Sequence, residues 1–269
     1  MESCALRFLY KTKPGRVVLK LLISPPVSKI AGAFLDSKLS KPLIPKFIKS
    51  YKIKTEGVIE PENGFQSFNE FFCRKRVQDK ICVKEGELIS PCDAFLTSIK
   101  IKNTTVLDVK HTKFTIGQLV QDESLAREYK DGYALIFRLT PSHYHRYCFA
   151  ADGIITKNRR INGVLHCVRP IATATVPVFA QNSREYQLIK TSSFGNVVQM
   201  EVGAMLVGRI VNDKKYSCGS RVKAGHEKGY FEYGGSTIIL LVKKNVIKLA
   251  KEYNETIVAQ GEVIAKIFS

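Results

Sequence analysis

The sequence is short of several things, and each shortage narrows the field. Acidic residues are outnumbered: 24 Asp and Glu stand against 42 Lys and Arg, a formal net charge of +18 at pH 7. Such a balance suits an anionic partner, either nucleic acid or a membrane surface. The excess charge is not interleaved with aromatics in any RNA-binding signature, so no nucleic-acid partner is expected. Cysteines number seven, an odd count, and no pair is spaced C-x-x-C. A disulfide framework or a zinc site is therefore not expected, and a reducing compartment is. No uninterrupted apolar stretch reaches the roughly 18 residues a spanning helix needs. Lys11, Lys13, Arg16 and Lys20 interrupt the first apolar stretches, so no signal peptide is expected either. Internal repeats and low-complexity segments are also missing.

What is present supports a core. Hydrophobic residues make up 45% of 269, enough for one large domain or two small ones and too many for a disordered chain. The first 60 residues stand apart, with twelve Lys and Arg against four Asp and Glu, a net of +8. Val27, Ile30, Ala31, Phe34 and Leu35 recur on one face of a helix, behind Pro25 and Pro26, which are tolerated at a first helical turn. A second short helix is expected after Pro45, with Phe47, Ile48 and Tyr51 on one side and Lys46, Lys49 and Lys52 beside them. Basic amphipathic helices lie well in an anionic membrane interface; the same stripes could equally pack on the protein's own core.

Ser67 and Glu70 have the spacing of a capping box, ahead of Phe71, Phe72 and the basic run Arg74, Lys75 and Arg76. After about residue 80 the pattern turns to strands, at 133–140, 174–180, 197–211 and 237–242, rich in β-branched residues and punctuated by Gly, Asn and Asp. A short helix is expected after Thr115, and residues 258–267 read as a closing turn and strand. The expected fold class is α+β: basic amphipathic N-terminal helices followed by a β-rich body of antiparallel sheets. The division falls at a basic helical, membrane-associating segment 1–66 and a catalytic domain 67–269.

Three stretches could carry chemistry. In "YFEYGGSTIILLV" (230–242), Gly234 and Gly235 read on their own as the tight turn of a β-hairpin; the sharper reading makes Ser236 a nucleophile aimed at the Gly235 carbonyl. "PSHYHRYC" (141–148) gathers His143, His145, an arginine, two tyrosines and Cys148 after a strand, where sites are often built. "SPCDAF" (90–95) holds one carboxylate, Asp93, in what is otherwise ordinary turn chemistry. Together Asp93, a histidine near 145 and Ser236 are an acid, a base and a nucleophile, in a chain order known from catalytic triads.

The chain resembles the phosphatidylserine decarboxylase proenzymes, a pyruvoyl-dependent family. The resemblance is carried by "FNEFFCRKR" (68–76), "SPCDAF" (90–95), "LTPSHYHRYCFAADG" (139–153), "GVLHCVRPIA" (163–172), "MEVGAMLVGRI" (200–210) and "KGYFEYGGSTIILL" (228–241), in the family's order. It implies that Ser236 attacks the Gly235 carbonyl, that the chain then breaks into a β chain of 1–235 and an α chain of 236–269, and that residue 236 becomes a covalent pyruvoyl group. The implied reaction forms a Schiff base with phosphatidylserine and releases CO₂ and phosphatidylethanolamine, with no metal. The implied partners are an anionic phospholipid membrane, the two chains of the one precursor and a second copy of the enzyme. The implied place is peripheral, at the cytoplasmic face of the cell membrane.

Two departures stand out. The family's Tyr-His-Arg-x-His run is here Tyr144-His145-Arg146-Tyr147-Cys148, so the base has three candidates: His145 first, then His166, then Cys148, a thiol being a poor neutral-pH base unless its pKa is depressed. Asp93 would orient whichever imidazole acts. Ala94 stands where the family commonly has Gly, with little chemical effect expected. Two other readings stay open: an unprocessed, non-enzymatic basic membrane-binding protein of the same fold, and the same chemistry on a serine headgroup carried by an ether lipid.

Overall fold

The computed structural model describes residues 4–77, 81–102, 106–109, 112–168, 170–204, 209–233 and 236–268. The chain begins with four helices, α1 (Cys4–Lys11), α2 (Lys13–Leu22), α3 (Pro25–Asp36) and α4 (Leu43–Tyr51), and then β1 (Val58–Ile59), α5 (Phe68–Phe72) and β2 (Lys75–Arg76). The middle of the chain runs β3 (Glu87–Ile89), β4 (Ala94–Lys100), β5 (Val106–Val109), β6 (Thr112–Thr115), α6 (Ile116–Val120), α7 (Glu123–Arg127), β7 (Tyr133–Leu139), β8 (Arg146–Cys148) and β9 (Gly153–Ile161). It continues with α8 (Pro170–Thr173), α9 (Val178–Gln181), β10 (Arg184–Thr191), β11 (Gly195–Gly203), β12 (Ile210–Asn212), β13 (Arg221–Val222) and β14 (Glu227–Phe231). The last strands are β15 (Ser236–Val242), β16 (Ile247–Leu249), β17 (Thr256–Val258) and β18 (Val263–Ile267). This is the expected α+β arrangement.

The frame is one eight-stranded sheet in the order β13-β9-β10-β11-β15-β7-β4-β17. Its ladders are antiparallel. β15 lies near the middle, and all seven of its residues are buried. Strand side chains alternate between faces, and here each face has its own core. Ile239 and Leu241 meet Ile136, Val198 and Met200 on one side. Ile238 and Leu240 meet Leu96, Leu135 and Phe137 on the other. A continuous β-branched and leucine run is the sequence of a strand covered on both faces, which is why 237–242 shows no polar alternation.

The helices close over this frame. Thr12 caps α2, accepting from Gly15 N at 3.0 Å. Prolines occupy the first positions of α3, where a missing N–H costs nothing. The apolar stripe of α3 is split: Ala31 and Leu35 pack on Phe47, Phe68 and Phe72, while Ile30 and Phe34 face solvent, 72% and 46% exposed. In α4, which starts two residues before Pro45, Phe47 is buried and Ile48 and Tyr51 pack beside it. Its lysines 46, 49 and 52 stay exposed. Ser67 caps α5 as expected, but Glu70 reaches the Gln66 N–H instead of Ser67's own. Thr115 and Gln118 form a complete capping box at α6.

Three expectations are corrected. Residues 174–180 do not form a strand: Thr175 N and Val176 N both return to the Ala172 carbonyl, and Pro177 starts α9. Proline has no N–H for a ladder, and Val178 and Phe179 reach the core from a helical turn instead. The run 197–211 is not one strand, since β11 and β12 belong to different sheets; residues 205–208 lie outside the described ones. The hairpin reading of 230–242 also fails. β14 belongs to the three-stranded sheet β12-β14-β8, and β15 to the large one. The link between them, whose Gly234 and Gly235 lie outside the described residues, therefore crosses between sheets.

Candidate active site

Ser236 is the first residue of β15. It pairs with Gly203 at the end of β11 and Leu139 at the end of β7. Its side chain shares a face with Ile238 and Leu240. It is fully buried, and its Oγ has no hydrogen-bond partner among the described residues. A buried hydroxyl left unbonded loses its water without compensation, at about 1–3 kcal/mol; the Thr237 hydroxyl beside it is in the same state.

His145 is also fully buried, one residue before β8. Its Nδ1 lies 2.9 Å from the His143 carbonyl oxygen. A carbonyl only accepts, so Nδ1 carries the proton and the neutral ring presents a bare Nε2. That Nε2 has no partner among the described residues. Burial, with Arg74 and His143 nearby, pulls the imidazole down to about 3, so the ring is neutral at physiological pH, with Nε2 open to a hydrogen-bond donor.

Aromatic packing ties His145 to the approach to Ser236. The His145 ring lies 4.1 Å from Phe72, and Phe72 lies 5.2 Å from Tyr233. The His145 carbonyl accepts from Phe231 N at 2.9 Å. Tyr233 N donates to Asn69 Oδ1, and Asn69 Nδ2 donates to Asp36. So α5 and the 140–145 loop hold the chain just ahead of the glycine pair. No hydrogen bond joins His145 to Ser236; catalytic bonds are often long before the reacting complex forms.

Asp93 takes a different partner from the expected one. Arg76 donates to both its oxygens, at 3.0 and 3.3 Å, and Gln260 N donates at 2.9 Å. Arg76 also lies over the Tyr144 ring at 4.2 Å. The nearer imidazole is His143, whose pKa the Asp93 charge raises against a larger lowering by burial. Sequence named His143 and Arg76 only as members of longer stretches, with no role, and did not name Gln260. His143 had a signal, two residues from His145 in the same dense loop; Arg76 and Gln260 had none.

The other two candidates are placed apart. Cys148 is buried with Sγ 4.0 Å from the Ser90 carbonyl, and burial pushes its thiol up to about 12. At neutral pH it is a thiol and no base. His166 sits in the layer of Tyr10, whose hydroxyl is 3.4 Å from its Nδ1. That layer covers the face of the large sheet opposite to Ser236. Asn182, which donates to both the His166 and Gly203 carbonyls, links it to the Ser236 row only through backbone.

A family model described as phosphatidylserine decarboxylase matches residues 68–266. The chain belongs to the phosphatidylserine decarboxylase family. It is 44% identical to phosphatidylserine decarboxylase proenzyme 2 of Clostridium acetobutylicum, over 97% of this chain and 91% of that protein. It is 41% identical to a phosphatidylserine decarboxylase proenzyme of Ruminiclostridium cellulolyticum, over 96% and 90%, and 37% identical to one of Clostridium botulinum, over 96% and 91%. The family is one of lyases, and these relatives are named proenzymes. Their matches extend over nearly the whole chain, whereas the family model begins at α5.

The residues here fit the pyruvoyl group that the phosphatidylserine decarboxylase resemblance implies. The serine that would become it is buried, unbonded at its hydroxyl among the described residues and fixed at its backbone by two strands. A neutral imidazole with a free nitrogen lies in the neighbouring aromatic cluster. Among the described residues no group of three His, Cys, Asp or Glu side chains could hold a metal.

Proposed function

We propose that this chain is a self-processing, pyruvoyl-dependent decarboxylase that converts phosphatidylserine to phosphatidylethanolamine and CO₂ at a membrane surface. The observation that carries the reading is the buried Ser236 Oγ, unbonded among the described residues, at the start of a central strand.

The processing chemistry follows from that placement. A hydroxyl is a weak nucleophile until a base takes its proton. His145 Nε2 is the base: its ring is kept neutral by burial and oriented by the His143 carbonyl. Ser236 Oγ bonds to the Gly235 carbonyl carbon as the peptide C–N bond breaks, giving an ester and a free amine. β-Elimination then breaks the Cβ–Oγ bond, releases residues 1–235 with a carboxylate and leaves dehydroalanine at 236. Water replaces the nitrogen, ammonia leaves, and a ketone remains. Once formed, the pyruvoyl group serves as the electron sink for loss of the substrate carboxylate, the part pyridoxal phosphate plays elsewhere. Asp93, paired with Arg76, fixes the loop that holds His143 and His145. The apolar walls of Phe72, Tyr233 and Leu139 keep water from this end of the sheet.

The membrane part of the reading rests on the N-terminal helices. Val17, Leu21, Ile30, Phe34 and Leu39 are exposed among Lys20, Lys29 and Lys38. Among the described residues no single helix is long and apolar enough to cross a membrane. A peripheral position on an anionic cytoplasmic leaflet, with these side chains in the interface, suits both features.

Ser236→Ala tests the core of the proposal. Intact mass should show one chain of 30.2 kDa for the variant, against two pieces for the unaltered protein, of about 26 and 4 kDa at the mean residue mass. A variant that still splits there removes the mechanism.

A further inference from the structure

A cleft of about 510 Å³ opens between α3 and the outer part of the large sheet. Lys29, Gly32 and Asp36 form one wall; Arg160 of β9, Glu185 of β10 and Arg209 form the other, and Glu232 also lines it. Its position relative to Ser236 follows from strand register. Arg160 pairs with Glu185, Glu185 with Glu201, and Glu201 with Ile238. Paired residues share a face, so Arg160 and Glu185 lie on the Ser236 face of the sheet. Ser183, also in the cleft, meets Gly203 through the Gly203 N–H, and Gly203 pairs with Ser236. That places Ser183 two strand spacings from the serine, about 10 Å, and Arg160, one strand further out, three. The residue between them, Gly203, has no side chain to stand in the way.

The charges in the cleft are unevenly satisfied. Glu232 is paired with Arg209 at 3.4 Å, Glu185 accepts from Asn212 at 3.0 Å and Asp36 accepts from Asn69 at 2.9 Å. The carboxylates are thus occupied. Arg160 and Lys29 have no ion-pair or hydrogen-bond partner among the described residues. Two unpaired cations over a cleft whose acids are already engaged make a site for an anion, and a guanidinium suits the paired oxygens of a phosphate. The outer side of α3 adds a second constraint. Ile30 and Phe34, at the back of the helix that carries Lys29, are exposed, so apolar chains can rest on one side while a polar group enters on the other.

We infer that this cleft is a head-group subsite in which Arg160 and Lys29 hold the phosphodiester of the glycerophospholipid, and that it sets the serine moiety toward residue 236. The inference rests on the function proposed above and names where that substrate is gripped. Four covalent bonds separate the phosphorus from the serine amine, so the reach of the Arg160 side chain from β9 covers the rest of the distance to the start of β15.

The test is a calorimetric titration with glycerophosphoserine, which reads the cleft without turnover. The unaltered protein should bind it at least tenfold more tightly than inorganic phosphate. Arg160→Ala combined with Lys29→Ala should lose at least tenfold in affinity, and Lys244→Ala, at an exposed lysine elsewhere, should lose nothing. In detergent micelles the double variant should show a raised KM for phosphatidylserine with kcat within about twofold, and intact mass should show normal scission. Unchanged glycerophosphoserine affinity in the double variant overturns the inference, as does equal binding of inorganic phosphate. If the unaltered protein is never cleaved, the proposed function fails, while the titration on the single chain still decides the cleft.

Discussion

At the scale of single residues, the proposed processing turns on the tautomer of His145. His145 spends its Nδ1 hydrogen on a backbone carbonyl two residues away, and its Nε2 is left bare in a dry place. His145→Gln should leave the chain unprocessed by intact mass. The same substitution has a signature in stability. The folded-state pKa of about 3 lies below the ordinary 6.5, so the unfolded chain takes the proton first. The stability of the neutral buried ring is present in full above pH 6.5 and is lost as pH falls from there toward 3. Denaturant unfolding across that window should show a shallower loss for His145→Gln than for the unaltered protein. Cys148, a buried neutral thiol, behaves as packing: Cys148→Ala should lose about 1–2 kcal/mol in the same unfolding measurement and still be cleaved. Ser236 and His145 stood out as candidates because serine after Gly-Gly and a dense histidine loop are unusual in a row of letters, whereas Asp93 stood out only beside them and through the family resemblance. The Arg76–Asp93–Gln260 contact was not legible, because its three members are brought together from distant parts of the chain by folding alone.

Among elements, the two strands flanking the glycine pair matter most, because they answer to different sheets. β14 is anchored to β11 by a fully buried ion pair, Lys228 to Glu201 at 2.5 Å, with Asn212 bonded to both. Burial raises the Glu201 pKa and Lys228 opposes that. Removing one partner of such a pair strands the other, at about 3–5 kcal/mol, whereas replacing both can be close to neutral. Lys228→Met should therefore destabilise strongly and slow scission, by loosening the upstream hold on the link. Lys228→Met with Glu201→Leu should recover most of the stability; chemical denaturation and a time course of intact mass read the two effects. The sequence showed where strands 133–139 and 236–242 lie, since a buried strand announces itself by composition. It did not show that 231 and 236 part company. Two glycines between apolar runs fit a hairpin locally, and only the register of β15 against β7 and β11 excludes one. The misplaced strand at 174–180 has a similar cause: β-branched residues describe half-buried surroundings as much as extended backbone.

For the molecule as a whole, the charge of +18 and the half-turned stripe of α3 belong together. A helix that buries Leu35 and exposes Ile30 and Phe34 serves the core and an outside surface at once. Ile30→Ser with Phe34→Ser should weaken sedimentation with phosphatidylglycerol vesicles. It should leave thermal unfolding almost unchanged, since exposed substitutions typically shift stability by no more than about 0.5 kcal/mol. Added salt should weaken the same binding, each cation near the surface contributing on the order of 1 kcal/mol. The basic amphipathic character of this region was plain in the sequence. Which half of each stripe faces outward was not, because that depends on where α5 places its phenylalanines.

The position of β15 also decides what a break before Ser236 would do to the assembly. Residues 236–242 are hydrogen-bonded to β11 on one side and β7 on the other, β17 is laced to β4, and β18 to β3. A cut at that point severs the backbone without freeing either piece. The shorter piece would remain threaded through the middle of the larger, and the two could separate only by unfolding together.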